Sequence, residues 1–200
     1  KSRTIWRGGE SVKEIMGLIR EAHSNAISKG WWDEERTFGE IIALVHSEVS
    51  EALEDYRNRK GINEVWYENP AGHSWSSQTG EFQKPCGIPS ELADICIRIF
   101  DIAGKYNWGP RLEGRITVSN SWHEREYDFA EELTDIHHDL SQAWISHNKH
   151  NEHYAIVNLS HVVLSVMQMS RKYGINLEEA IREKMAFNAT RPQRHGGKVI

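Results

Sequence analysis

This 200-residue chain is poor in cysteine, in long apolar runs and in net positive charge. Its two cysteines, Cys86 and Cys96, are too few for a disulfide framework, so we expect a reducing compartment, the cytoplasm. No run of about eighteen apolar residues occurs, and we expect neither a membrane span nor a membrane partner. The first residues also lack the long apolar segment that is typical of a secretory signal.

The formal net charge is −5, which argues against a general nucleic-acid binder because such proteins usually present a basic surface. Basic residues cluster only near the end of the chain, in residues 191–198. A nucleic-acid partner is therefore not expected.

Alternating strand patterns are also missing, and apolar residues recur instead at the 3.6-residue spacing of amphipathic helices. Helices are predicted over residues 11–28, 37–59, 89–106, 126–147, 153–173 and 177–188. Residues 61–88 are predicted to be a long connection, and residues 109–124 a linker with some extended structure at residues 116–118. The predicted fold class is all-α, a helical bundle.

Two carboxylate pairs lie within the apolar stripes: Glu48 and Glu51 on the second predicted helix, and Glu91 and Asp94 on the third. Residues three apart share a helix face, so each pair points two acids the same way. Four acids held together by packed helices repel one another and need divalent cations. We therefore predict a magnesium-dependent enzyme with these four side chains as metal ligands; a salt-bridged, solvated face is the alternative. Asp101, two turns after Asp94, is a candidate to support the metal site.

Two blocks of the sequence recur in the same order. Residues 46–53 align with residues 137–144, and residues 91–106 align with residues 158–173. The second copy lacks the long connection between its blocks. These matches predict an internal duplication, a pseudo-dimer within one chain.

The second copy has lost most of the acidic character of the first. At the positions of the four acids it carries Asp139, Gln142, Asn158 and His161. We therefore expect one active site per chain, with the second copy as a degenerate scaffold. The predicted divisions are a half with the acidic site (1–108), a linker (109–125) and a degenerate half with a basic tail (126–200), packed as one globular unit.

Further segments accompany the acids: residues 31–53 around the first pair, residues 84–95 around the second, and the tail at residues 184–198. Together with the Glu-x-x-Glu and Glu-x-x-Asp pairs, they resemble the MazG-like, all-α nucleoside triphosphate pyrophosphatases. The likeness covers most of residues 31–106 and 174–198. Ser47 stands where many relatives carry a further Glu, and the tail follows the second copy instead of the first.

The resemblance implies a tandem-duplicated enzyme that hydrolyses a nucleoside triphosphate to the monophosphate and pyrophosphate, in cleaning of the nucleotide pool. Its cofactor would be Mg²⁺, for which Mn²⁺ can substitute. Glu48 and Glu51 would be catalytic, one of them orienting the attacking water. The candidate substrate-binding residues are Lys184, Asn188, Arg191 and Arg194 for the phosphates and Trp66, in the long connection, for the base.

Two other classes stay open. A di-iron carboxylate bundle also places acids inside helices, but it usually uses Glu-x-x-His pairs, which neither acidic motif supplies. A non-catalytic nucleotide-binding or regulatory protein is kept open by Ser47 and the degenerate second half. The base and sugar of the substrate, and the choice between a monomer and a homodimer, also stay open.

Overall fold

The computed structural model describes residues 11–68, 74–75, 83–118 and 126–193, and this part of the chain is mostly helical. The helices are α1 (Ser11–Ser28), α2 (Phe38–Arg57), α3 (Ile88–Lys105), α4 (Gly109–Val118), α5 (Phe129–Asn148), α6 (Glu152–Tyr173) and α7 (Leu177–Thr190). The strands are β1 (Trp66–Glu68), β2 (Ser74–Trp75) and β3 (Lys84–Cys86). The all-α class is confirmed, and the six predicted helices lie within a few residues of the predicted bounds.

Helix α4 lies in the segment for which the sequence predicts a linker, and the predicted extended structure at residues 116–118 is wrong. The pair Gly109-Pro110 is typical of a helix end. Here Pro110 lies in the first turn of α4, where the N–H that proline lacks would have no helical partner. Leu112 and Ile116 are buried on one side of α4, which packs against α1 and α6.

A three-stranded antiparallel sheet, in the order β2-β1-β3, lies within the predicted connection at residues 61–88. Strands of two or three residues carry too few side chains to show an alternating pattern in the sequence. Gly87 then turns the chain from β3 into α3 with a φ of +109°. A Cβ at this position would strike the Glu64 carbonyl and the Trp66 ring, so the turn requires glycine.

One apolar core runs through the bundle, and every described helix contributes side chains to it. Helix α3 has a central place, since it packs against α1, α2, α6 and α7. Helix α2 also packs against α5, and α5 packs against α6. None of the described helices is long and apolar enough to cross a membrane.

Helices α2 and α5 begin in the same way and have the same length, 20 residues each. Each starts with a capping box, in which the N-cap side chain and the third helical residue exchange hydrogen bonds. The box pairs Thr37 with Glu40 in α2 and Asp128 with Glu131 in α5. The two helices therefore begin with the same capping arrangement at aligned positions.

Aromatic contacts at corresponding positions match as well. Phe38 packs edge-on against Tyr106 with ring centroids 5.8 Å apart, and Phe129 packs against Tyr173 at 5.7 Å, both with an interplanar angle of 74°. Phe38 and Phe129 are the first residues of α2 and α5, and Tyr106 and Tyr173 are aligned in the two sequence blocks. The same contact thus occurs at aligned positions of the sequence.

His46 and His137, aligned with each other and 91 positions apart, meet where α2 packs against α5. Their rings stack with centroids 5.0 Å apart, and their Nδ1 atoms are 2.7 Å apart. Contact between a position and its own counterpart is typical of an interface around a two-fold axis.

Candidate functional site

Glu48, Glu91 and Asp94 bring three carboxylates together where α2 packs against α3. One oxygen from each lies within 4.8 Å of the other two. Glu48 is 5% exposed and Glu91 is 4% exposed, while Asp94 is partly buried. The core positions of α2 and α3 thus aim the acids at one another, and an all-oxygen cluster of this kind suits a hard dication. We call these three residues the acid cluster.

Within the described part of the chain, two cationic side chains contact the acid cluster. The Lys184 ammonium lies 2.9 Å from Asp94 Oδ2 and 3.7 Å from Glu91 Oε1. The Arg98 guanidinium lies 2.6 Å from Glu48 Oε1. Lys184 comes from α7 and Arg98 from α3, so α7 completes a site whose acids come from α2 and α3.

Burial dominates the electrostatics of the acid cluster. It raises the pKa of Glu91 to about 8, although Lys184 acts in the opposite direction. Burial also raises the pKa of Glu48 against the effect of Arg98, and the neighbouring Asp94 adds to the rise. Burial works to lower the pKa of Lys184, but the carboxylates of Asp94 and Glu91 outweigh it and the pKa is raised. The acids therefore lie where additional positive charge is favourable.

The acid cluster forms part of the wall of a cavity of about 270 Å³. Charges of both signs line this cavity. Its cationic side chains are Lys29, Arg36, Lys84, Arg98, Lys184 and Arg191. Such a lining can hold an anionic ligand together with a cation.

The turn after α1 contributes two indoles, Trp31 and Trp32, to the same cavity. Trp32 Nε1 donates to Asp101 Oδ1 at 2.9 Å, and the Lys105 ammonium lies 4.6 Å from the centroid of the Trp32 ring. His23 Nδ1 lies 2.7 Å from the same Asp101 oxygen. Asp101 therefore orients Trp32, and its support of the metal site stays a prediction.

Three of the four predicted metal ligands form the acid cluster, and the fourth, Glu51, does not. Glu51 lines the same cavity but is exposed and lies outside the group of converging oxygens. It lies at the edge of the apolar stripe of α2, which leaves its side chain exposed while Glu48 is buried.

The predicted phosphate donors on α7 and its C-terminal cap reach the cavity: Lys184, Asn188 and Arg191 all line it. Asn188 Oδ1 is buried without a hydrogen-bond partner among the described residues. Arg194 lies outside the residues that the structure describes.

Trp66, the predicted base-stacking residue, is not part of the cavity lining. Its ring lies beside Gly87, and the Lys60 ammonium lies 4.4 Å from the ring centroid. The structure thus places Trp66 in the packing of the small sheet.

The sequence missed the cavity roles of Arg98, Trp31 and Trp32. Arg98 had a signal, because it follows Asp94 by one turn of α3 and so shares its face. The two indoles belong to the segment that carries the family resemblance, but no periodicity indicates that they line a cavity. Their position depends on the turn at Gly30, which has a φ of +73°.

The second half has no equivalent acid cluster within the described part of the chain. His161, at the position of Asp94, is exposed, and Asp139 and Gln142 are only partly buried.

No protein-family model, no curated protein and no solved structure matches this chain. Fold and site define an all-α protein with buried carboxylates at a cavity of mixed charge.

Proposed function

We propose that this protein is a Mg²⁺-dependent nucleoside triphosphate pyrophosphohydrolase that releases a nucleoside monophosphate and pyrophosphate. The observation that carries the proposal is the convergence of three carboxylates within 4.8 Å at a cavity that is also lined by lysines and arginines. A triphosphate with about four negative charges is repelled by acids alone, but it suits acids, a dication and surrounding basic side chains together.

The residues of the acid cluster fit a magnesium ion. They offer only oxygen donors, and burial raises the pKa of Glu91 to about 8, so a cation is a favourable partner for this carboxylate. Glu48, Glu91 and Asp94 would hold the ion. When bound, Mg²⁺ would neutralise charge on the phosphate oxygens and activate a water molecule.

Helix α7 supplies the side chains for the phosphates. Lys184 and Arg191 bring positive charge to the cavity on the same side of the helix, with Asn188 between them. The unpaired Asn188 Oδ1 is an acceptor that fits a hydroxyl of the ligand or a water molecule.

The indoles of Trp31 and Trp32 fit a nucleobase, which stacks favourably on an aromatic ring. Asp101 orients Trp32 by accepting a hydrogen bond from its Nε1, and the Arg36 guanidinium lies 4.7 Å from the centroid of the Trp31 ring. We therefore assign base stacking to these two residues in place of Trp66.

Glu51 is the best candidate to orient the attacking water. Glu48 is occupied by Arg98 at 2.6 Å, whereas Glu51 lines the cavity outside the acid cluster. Glu51 would take a proton from the attacking water while the oxygen of that water bonds to the α-phosphorus. The bond from the α-phosphorus to the bridging oxygen then breaks, and pyrophosphate leaves with that oxygen and the electron pair.

We further propose that the chain is a tandem-duplicated, MazG-like pseudo-dimer. The matching starts of α2 and α5 and the paired contacts of Phe38 and Phe129 support this assignment. So does the stacking of His46 on its own counterpart, His137. Only the first half would carry an active site. The protein would use it to clean the cytoplasmic nucleotide pool.

Magnesium-dependent release of pyrophosphate from a panel of ribo- and deoxyribonucleoside triphosphates tests the activity. D94A and E51A should abolish release and leave the helical circular-dichroism signal intact. If the wild type hydrolyses no triphosphate but binds nucleotides, the protein is a non-catalytic nucleotide-binding protein. If the wild type binds iron in place of magnesium, it belongs to the di-iron carboxylate class instead. No His belongs to the described acid cluster, which is unusual for that class.

A further inference from the structure

Lys184 is a lysine buried among acids. It is 2% exposed, and its ammonium contacts Asp94, Glu91 and the Pro85 carbonyl, the last at 3.2 Å. These partners come from α3 and from β3, so the side chain of Lys184 ties α7 to both. A buried ammonium is stable only with such partners.

The same two carboxylates belong to the acid cluster that the proposed function assigns to a dication. A dication bound by Glu91 and Asp94 would lie a few ångströms from the Lys184 ammonium, and like charges at this distance repel strongly inside a protein. The ammonium and the dication therefore compete for the same oxygens.

We propose that Lys184 is the resident counter-cation of the acid cluster, and that a divalent cation must displace its ammonium from Glu91 and Asp94 to bind. The inference rests on the proposed metal site and adds a coupling to it. The displaced ammonium finds new partners when phosphate oxygens occupy the cavity beside Asn188 and Arg191, which lie on the same side of α7. Lys184 then weakens metal binding without nucleotide and strengthens it with nucleotide, so metal and triphosphate bind cooperatively.

The experiment measures Mn²⁺ binding by electron paramagnetic resonance for the wild type and K184Q. Glutamine removes the charge but keeps a donor for the Pro85 carbonyl. We expect K184Q to bind Mn²⁺ about tenfold more tightly than the wild type when no nucleotide is present. An α,β-methylene triphosphate analogue should tighten Mn²⁺ binding to the wild type and have a smaller effect on K184Q. R182Q, which removes an exposed charge from the same helix, should match the wild type in both measurements.

Equal or weaker Mn²⁺ binding by K184Q overturns the inference, and it leaves the hydrolase proposal to the pyrophosphate assay. Tighter binding by K184Q with no hydrolysis by the wild type supports the inference and overturns the hydrolase proposal. The absence of Mn²⁺ binding by both proteins overturns both. Should K184Q and K184M unfold without a cation, recovery of helical content on addition of Mn²⁺ supports the inference, and failure to recover overturns it.

Discussion

At the scale of single residues, the acids of α2 differ in their surroundings although they lie one turn apart. Glu48 points into the core beside α3 and pairs with Arg98, while Glu51 lies at the edge of the same cavity and is exposed. A buried carboxylate among other carboxylates favours a bound cation, whereas an exposed one is free to orient water. Replacing a buried acid of the acid cluster should therefore impair metal binding, whereas replacing the exposed Glu51 should impair catalysis.

Replacing Asp94 and Glu51 separates metal binding from catalysis. D94N should weaken Mn²⁺ binding by tenfold or more, on the order of 1.4 kcal/mol, because one of the three cluster carboxylates loses its charge. E51Q should leave Mn²⁺ binding within about twofold and lower kcat by about a hundredfold or more. Both are measured by titration with Mn²⁺ and by pyrophosphate release.

E54Q is the matched control for E51Q. Glu54 lies one turn further along α2 and pairs with the exposed Arg57 instead of lining the cavity. It should behave as the wild type. Loss of Mn²⁺ binding in E51Q equal to that in D94N would place Glu51 among the metal ligands after all.

Asp101 offers a second test at this scale. D101A removes the acceptor that orients Trp32, so nucleotide KM should rise by about threefold to tenfold while Mn²⁺ binding stays unchanged. Steady-state kinetics and Mn²⁺ titration measure the two effects. Weaker Mn²⁺ binding in D101A would instead support the role in the metal site that the sequence predicts.

At the scale of helices and strands, the site depends on how closely α1 and α3 approach each other. Gly104 of α3 lies against His23 of α1, and a Cβ at Gly104 would strike the Cβ of His23. Because His23 also contacts Asp101, this close approach positions the aromatic part of the cavity.

Two glycine replacements test this packing. G104A should destabilise the protein by about 1 to 3 kcal/mol, since α1 and α3 must move apart. G114A, in the interior of α4 with no atom within 4 Å of the added Cβ, should stabilise it by about 1 kcal/mol through helix propensity. Urea unfolding measures both free energies. Similar effects from the two replacements would contradict the assignment of Gly104 to the α1–α3 contact.

The contact between α2 and α5 predicts a pH dependence of stability. Burial lowers the pKa of both His46 and His137 from the ordinary value of 6.5. A histidine with a lowered pKa binds fewer protons in the folded state than in the unfolded state. The contribution of these two histidines to the free energy of unfolding should therefore be fully present above pH 6.5 and should be lost as the pH drops below 6.5 toward the lowered pKa values.

The double variant H46N/H137N keeps side chains that can hydrogen-bond to each other but do not titrate. Relative to the wild type, its free energy of unfolding should fall less as the pH drops from 7 to 5. H150N, at an exposed position with a φ of +55° that Asn tolerates, is the control and should keep the dependence of the wild type. If the free energy of unfolding of H46N/H137N depends on pH as that of the wild type does, this prediction is wrong.

At the scale of the whole molecule, the two predicted halves of the chain contribute different residues to one site. The first half supplies the acid cluster and the indoles, and α7 of the second half supplies Lys184, Asn188 and Arg191. The apolar core is continuous through both halves, which holds these elements together.

Isothermal titration should accordingly give one triphosphate analogue bound per chain at saturation in the presence of Mg²⁺. The second half lacks an acid cluster among its described residues, so a second site would have no ligands for the metal. D94N should lose this binding, and no second, weaker binding of the analogue should appear. Two equivalent nucleotides per chain would contradict the prediction of a single site.

Much of this arrangement could be predicted because it is local. The 3.6-residue spacing of apolar residues predicts the helices that form the bundle, and the positions of Glu48, Glu91 and Asp94 within the stripes predict inward-facing acids. Helix α4 was not predictable in the same way, because Gly109-Pro110 is compatible with both the end of one helix and the start of another. The short strands depend on pairing across residues 61–88, for which no local pattern exists.

By itself, the sequence determined the helical class and the inward direction of the acids, since helix periodicity is a property of neighbouring residues. Only the tertiary structure decided that Glu51 lies outside the acid cluster, that Asp101 orients Trp32, and that Lys184 contacts Glu91 and Asp94. The last two contacts join residues far apart in the chain, Asp101 and Trp32 by 69 positions. Their distances follow from how whole helices pack, which local propensity does not specify.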